Sequence, residues 1–280
     1  MKLPIKRAAV INDFSGFGRC SISVALPILS AMGVQCCSLP TAILSNHTGY
    51  SDYFFDSYTQ KMPEYIGKWE KLGLEFDSIF SGFLGCKEQI EIVSNFIRDF
   101  RTEGCHVIVD PVMGDNGKIY TTYTAELCEK MRDLTELADI ITPNITEACI
   151  LAGETYRGEE ISEAFTRKLL DSLCNKGERS VLITGVIDGE NVNTCIFDKD
   201  SKEIHTVKNR RIKKVYPGTG DLFASVLCGA VTNGSGLLDA ARLAADFVEK
   251  TTEYTSRYET NPNDGIAFEP YLYKLANKNQ

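Results

Sequence analysis

Pro217-Gly218-Thr219-Gly220-Asp221 stands immediately before the apolar helical pattern Leu222-Phe223-Ala224-Ser225-Val226-Leu227. Two glycines let backbone amides converge at a helix N-terminus, where the dipole favours negative charge. The anion forming on a transferred phosphoryl group could be held there. A carboxylate beside an anion site repels phosphate, so Asp221 needs its own task, and accepting a proton from an attacking hydroxyl is one that fits. A plain helix start capped by Thr219 or Asp221 would read the same way. The local pattern leaves both open.

A second cluster, Asp110-Pro111-Val112-Met113-Gly114-Asp115, follows a hydrophobic strand directly. Two carboxylates at a strand end suit hydrated magnesium, which prefers oxygen ligands and keeps several waters. The alternative is a solvated turn with an Asx motif. In a third segment, Thr142-Pro143-Asn144-Ile145-Thr146-Glu147, Asn144 can cap the following helix while Glu147 points from its first turn toward the same crevice. Helix-entry capping alone would also explain it. Gly16-Phe17-Gly18 suggests a dinucleotide fingerprint, but Ser21 stands where the third glycine belongs. No Asp or Glu occurs between Ser15 and Ser51 to bind a ribose, so a NAD site is excluded. There is no Gly-x-x-x-x-Gly-Lys-Ser/Thr run either, which excludes a P-loop.

The elements that must position these residues alternate in type. Ala8 to Ile11, Val34 to Leu39, Ser78 to Phe80, His106 to Val109, Ile140 to Thr142 and Val181 to Thr184 read as short buried strands. Helical patterns lie between them at Ser21 to Ala31, Lys87 to Arg101, Ala125 to Arg132 and Ile161 to Cys174. The alternation predicts an α/β fold with a mostly parallel central sheet and helices on both faces. Asn193 to Phe197 and Glu203 to Val207 read as a late edge hairpin, followed by a long helical finish from Asp221. No repeat or Pro/Gly/Ser-rich linker divides the 280 residues, so residues 1–280 are expected to form a single domain. In such sheets ligands lie beyond the carboxyl ends of the strands, where Asn12-Asp13, Asp110-Pro111, Pro143-Asn144 and Thr184-Gly185 gather.

Composition narrows the partners. The formal net charge is −8 and basic residues come only in short pairs such as Arg210-Arg211 and Lys213-Lys214, which disfavours nucleic acid. No apolar run spans a bilayer, and Asn12-Asp13 interrupt the first apolar stretch, against a signal peptide. A cytoplasmic protein with no membrane partner is expected. The ten cysteines avoid Cys-x-x-Cys spacing and read as reduced core thiols. His47, His106 and His205 form no zinc-ligand cluster.

Gly218-Thr219-Gly220-Asp221 resembles the signature of the ribokinase-like superfamily. Ser45-Asn46-His47-Thr48-Gly49-Tyr50, Gly82-Phe83-Leu84-Gly85, Asp110 to Asp115 and Ile140-Ile141-Thr142-Pro143-Asn144 resemble pyridoxal kinases in particular. The motifs run in order from about residue 8 to residue 232. The resemblance implies a three-layer ribokinase-like sandwich and ATP-dependent phosphorylation of the hydroxymethyl group of pyridoxal, pyridoxamine or pyridoxine. It implies Asp221 as the base, with Gly218 and Gly220 in the anion hole. Asp110, Asp115 and Glu147 would organise Mg²⁺ and water around the ATP phosphates, with Tyr120, Asn144, Thr184 and Thr219 on the nucleotide. Asp13, Thr41, His47, Tyr50 and Pro217 would face the substrate, His47 and Tyr50 from a flap. A homodimer follows by the same resemblance, which also admits a monovalent cation.

One departure is Asp13, where many pyridoxal kinases carry serine. It either caps the following turn or faces the substrate, where it would favour a protonated amine or pyridinium. Kinases of hydroxymethylpyrimidine share the fold and the glycine-aspartate signature and remain an alternative activity. A non-catalytic B6 binder is disfavoured, because a binder gains nothing from buried carboxylates beside phosphate.

Overall fold

The computed structural model describes residues 5–120, 123–158 and 160–276. Its strands are β1 (Arg7–Phe17), β2 (Gln35–Asn46), β3 (Phe55–Ser57), β4 (Ser78–Ser81), β5 (His106–Val109), β6 (Gly114–Asp115), β7 (Lys118–Ile119), β8 (Ile140–Ile141), β9 (Ser180–Asp188), β10 (Asn191–Phe197) and β11 (Ile204–Arg210). The helices are α1 (Ser21–Ala31), α2 (Met62–Lys71), α3 (Lys87–Phe100), α4 (Ala125–Thr135), α5 (Ile145–Ala152), α6 (Glu163–Leu173), α7 (Thr219–Thr232) and α8 (Leu237–Ser256). Nine strands form one sheet in the order β11-β10-β9-β8-β5-β4-β1-β2-β3, and β6 pairs with β7 in a separate ribbon. The six strands from β9 to β2 run parallel, while β10, β11 and β3 join antiparallel at the two edges.

A parallel sheet covered on both faces needs strands that are apolar throughout, and β1 is buried without a break from Ala8 to Asp13. Its side chains alternate between two cores. Ala9 and Ile11 pack with Ile79, Ile66, Val93, Met131, Ala148 and Leu169, which places α2 to α6 on one face. Ala8 and Val10 pack with Phe80, Val24, Ile28, Ala224, Val226 and Ala241, which places α1, α7 and α8 on the other. The result is the expected three-layer α/β sandwich.

The expected strands and helices are present, with shifted bounds. β1 and β2 run on to Phe17 and Asn46, well beyond the predicted apolar cores, because past Asn12 they leave the sheet centre and pair only with each other and with β3. A bulge on β2, where Asn12 faces Pro40 but Phe14 faces Ile43, bends this extension. The long helical finish is two helices, because Asn233-Gly234-Ser235-Gly236 interrupts it and Gly234 takes a φ of 92°. The β6/β7 ribbon and the short edge strand β3 carried no apolar alternation to announce them. All ten cysteines are free. Among the described residues no helix is long and apolar enough to cross a membrane.

Candidate active site

The parallel strands end along one edge, and the motifs meet there. Asn12 and Asp13 lie in β1, Gly82 follows β4, Asp110 follows β5, and Thr142 to Asn144 follow β8. Thr184 lies in β9, bridged to Asn144 in parallel fashion, and its N–H donates to the Pro143 carbonyl at 2.9 Å. A bulge in β9 next to it, with Gly185 at a φ of 75°, turns Thr184 out of the regular ladder.

The start of α7 closes the crevice from above. Gly218 is its N-cap with a φ of 82°, and a Cβ on Gly218 would overlap the Arg19 carbonyl oxygen, so both conformation and space demand glycine. The amides of Thr219, Gly220 and Asp221 occupy the first helical turn, which has no intrahelical acceptors of its own. Gly220 lies against Asp110, and a Cβ there would sit 3.9 Å from the Asp110 Oδ2. Strand β5 and helix α7 therefore present their carboxylates to the same space.

Four acids share this region: Asp13, Asp110 and Glu147 are buried and Asp221 is mostly so. None of the ion pairs among the described residues includes any of them. Burial pushes Asp221 up to about 6; the Asp13 charge adds to this, while the Ser21 amide and the Asn12 side chain oppose it. Asp110 is pushed up to about 7, first by burial and then by Asp221, against one hydrogen bond of 2.8 Å from the Thr142 hydroxyl. Burial and Asp110 also raise Glu147.

Glu147 and Asn144 form a reciprocal cap. The Asn144 N–H donates to Glu147 Oε2 at 2.9 Å, and the Glu147 N–H donates to Asn144 Oδ1 at 3.0 Å. Glu147 Oε1 also accepts from the Met113 N–H at 3.1 Å, while Asn144 Nδ2 donates to the Gly114 carbonyl at 2.8 Å. Capping and site-building are thus one arrangement, since the cap holds the loop that follows Asp110.

The other sequence candidates fall into place unevenly. Asp115 is exposed, and its carboxylate accepts from the N–H and side-chain amide of Asn116 at 2.8 and 3.1 Å, an Asx arrangement at the ribbon turn. Tyr120, 43% exposed, has its phenol raised by burial and then by Glu147, Asp115, Asp110 and Asp221, so it borders the acidic crevice. Thr41 is buried and donates to the Phe83 carbonyl at 3.0 Å. Asp13 does not cap backbone amides near Gly16; the Ser21 and Ser15 hydroxyls donate to its Oδ1 and Oδ2 at 2.5 and 3.1 Å. Burial raises its pKa despite these bonds.

His47 and Tyr50 sit in the connection between β2 and β3 and bond to the segment around Asn263 and Asp264. His47 Nδ1 accepts from the Gly49 N–H at 3.1 Å, which leaves Nε2 to donate to the Asn263 carbonyl at 2.6 Å. The Tyr50 hydroxyl donates to Asp264 Oδ1 at 2.7 Å and Asn263 Nδ2 donates to the Gly49 carbonyl at 2.7 Å. Arg19 anchors the same segment through the Asp264 carbonyl at 3.1 Å and Glu269 at 2.6 Å. Sequence reasoning put Asn12 at the strand ends and Gly82 in a family motif without giving either a role, and it missed Arg19 and the segment from 261 to 265, because their partners lie far away along the chain.

The phosphomethylpyrimidine kinase family model matches residues 22–265. The chain belongs to this family. A Bacteroides thetaiotaomicron VPI-5482 protein, named provisionally as a phosphomethylpyrimidine kinase and solved with pyridoxal, is 39% identical with a TM-score of 0.92, covering 97% of this chain and 96% of its own. The pyridoxine/pyridoxal/pyridoxamine kinase of Bordetella avium is 28% identical over 256 residues, 86% of this chain and 79% of that one. The chloroplastic thiamine biosynthetic bifunctional enzyme of Arabidopsis thaliana is 31% identical over 250 residues, 88% of this chain. This chain spans 46% of that relative's length. The family thus includes relatives named for B6 vitamers and for thiamine precursors, on a ribokinase-like fold.

Proposed function

We propose that this chain transfers the terminal phosphoryl group of ATP to the hydroxymethyl oxygen of a vitamin B6 compound: pyridoxal, pyridoxamine or pyridoxine. The observation that carries the reading is Asp221, a carboxylate at the amide-rich start of α7 whose pKa is pushed up to about 6. At pH 7 most of it is ionised, yet it is a stronger base than a solvated aspartate and suits proton transfer from an attacking hydroxyl. The first-turn amides of α7, with Gly218 and Gly220, face the charge that grows on the transferred group. Thr184, Asn144 and Thr219 line the nucleotide side, and Tyr120 borders it. The pyridoxal in the Bacteroides relative supports a pyridine acceptor, at 39% identity over nearly the whole chain.

Magnesium fits the donor set in one form. Among the described residues no three His, Cys, Asp or Glu side chains are grouped to cage a metal. Asp110 is buried without a cation, and Mg²⁺ commonly binds through one or two carboxylates, waters and substrate phosphates. Asp110 would hold the ion, and Glu147 would fix the loop behind it. When bound, the ion would neutralise phosphate charge and relieve the Asp110–Asp221 repulsion. Asp115, turned onto Asn116, is the least suited of the three acids the sequence put forward.

A second reading, phosphorylation of hydroxymethylpyrimidine, draws on the family model and on the Arabidopsis relative. It uses the same transfer chemistry on a different ring. The test is incubation with ATP, Mg²⁺ and each acceptor, followed by mass analysis of the product. Phosphorylated pyridoxal supports the first reading; product from the pyrimidine alone moves the assignment to the second.

A further inference from the structure

Asn12 is fully buried midway along β1, and its carboxamide has one orientation available. Oδ1 accepts two backbone N–H groups, from Asp13 at 3.0 Å and from Phe83 at 2.9 Å. A flipped amide would set its NH₂ against both donors. The NH₂ group is therefore aimed the other way, and Nδ2 donates to Asp221 Oδ1 at 3.2 Å across 209 residues of sequence. The space for it is supplied by Gly82, where a Cβ would come within 2.7 Å of the Asn12 Cγ and overlap its Nδ2. Gly82 and the Asp13 and Phe83 amides thus fix the Asn12 carboxamide with its nitrogen toward Asp221.

We infer that Asn12 is the positioning residue of this site, holding the Asp221 carboxylate in the rotamer from which it meets the acceptor hydroxyl, with Gly82 as the gap that admits its side chain. The inference rests on the reading of Asp221 as the proton acceptor. A purely structural asparagine would serve through its oxygen, which satisfies two buried N–H groups. The positioning role lives in its nitrogen. Asn12→Asp keeps an acceptor for both N–H groups and loses the donor toward Asp221; because it also sets a like charge beside Asp221, Gly82→Ala, which moves the amide without adding charge, is its control.

The experiment compares steady-state turnover, with whichever acceptor the parent phosphorylates, in the parent, Asn12→Asp, Gly82→Ala, Asp221→Asn and the Asn12→Asp/Asp221→Asn double variant. Asn12→Asp is expected to lower kcat about 10- to 100-fold, the scale of a misplaced catalytic group. The KM values for ATP and acceptor should stay within about twofold. Gly82→Ala, which displaces the same amide, should reproduce the split if Asn12→Asp itself folds poorly. In the Asp221→Asn background the second substitution should cost no further turnover, because residues acting as a unit are not additive. A parental kcat in Asn12→Asp, or equal losses with and without Asp221, would overturn the role and leave Asn12 structural. A parent that turns over only the pyrimidine refutes the vitamer reading and leaves this comparison to be read on its own ratios. A parent that phosphorylates neither acceptor refutes both.

Discussion

Replacing Asp110 by asparagine is expected to make the protein more stable and less active. In the fold its carboxyl titrates near 7, against an ordinary value of 3.8, because it is buried and because Asp221 adds like charge. Between those two values the folded chain binds more protons than the unfolded one, so stability falls as pH rises and the full loss is present above about pH 7. A shift of this size corresponds to at most about 4 kcal/mol, and roughly 2–4 kcal/mol is reasonable for a crevice that water can enter. The substituted carboxamide would keep an oxygen for the Thr142 hydroxyl, now at 2.8 Å, and carry no charge. Thermal melts without ligand should therefore show Asp110→Asn above the parent by about 4–10 °C at pH 8 and near it at pH 4. Turnover should fall, because the charge repelled by Asp221 is the one proposed to hold the metal. A variant that melts at or below the parent at pH 8 would refute the claim that this carboxylate is under electrostatic strain.

Other outcomes follow from the same geometry. Asp221→Asn should retain ATP binding by calorimetry while kcat drops about 10²- to 10⁴-fold. In the parent, kcat/KM for the acceptor should fall below pH 6 by roughly tenfold per unit as Asp221, at about 6, takes up its proton; a flat profile down to pH 5 would contradict this. Tyr50→Phe removes the donor to Asp264 and should raise the acceptor KM several-fold, the scale of one lost hydrogen bond, with the ATP KM unchanged. Gly218→Ala combines a left-handed φ with overlap on the Arg19 carbonyl and should cost at least about 2 kcal/mol in chemical denaturation; a parental midpoint would show that the loop relaxes freely.

Much of the scaffold could be read from the chain because its signals are local. The unbroken apolar runs at Ala8 to Ile11 and Val107 to Val109 announce parallel strands, and Lys87 to Phe100 alternates with helical period. Gly218-Thr219-Gly220-Asp221 carries its own reason, since φ, space and charge all act on four consecutive residues. What stayed hidden depends on contacts between distant segments. Nothing near Asn12 points to Gly82 or Asp221, and nothing near His47 or Tyr50 points to Asn263 or Asp264. Asp115 shows the converse: a carboxylate in a motif that also makes a local turn, accepting from the N–H and side-chain amide of Asn116. The bonds of Asp13, to the Ser15 and Ser21 hydroxyls, likewise replace the backbone cap that its position suggested.

The central claim is that an ionised Asp221 drives phosphoryl transfer from ATP to a pyridine hydroxymethyl group. Its most direct test is ADP release with Mg²⁺-ATP alone, with pyridoxal, and with hydroxymethylpyrimidine, in the parent and in Asp221→Asn. The account predicts little ADP without an acceptor, rapid release with pyridoxal, a smaller kcat/KM with the pyrimidine, and loss of the pyridoxal-dependent rate in the variant. ADP release that pyridoxal does not accelerate, or a variant as fast as its parent, would contradict it.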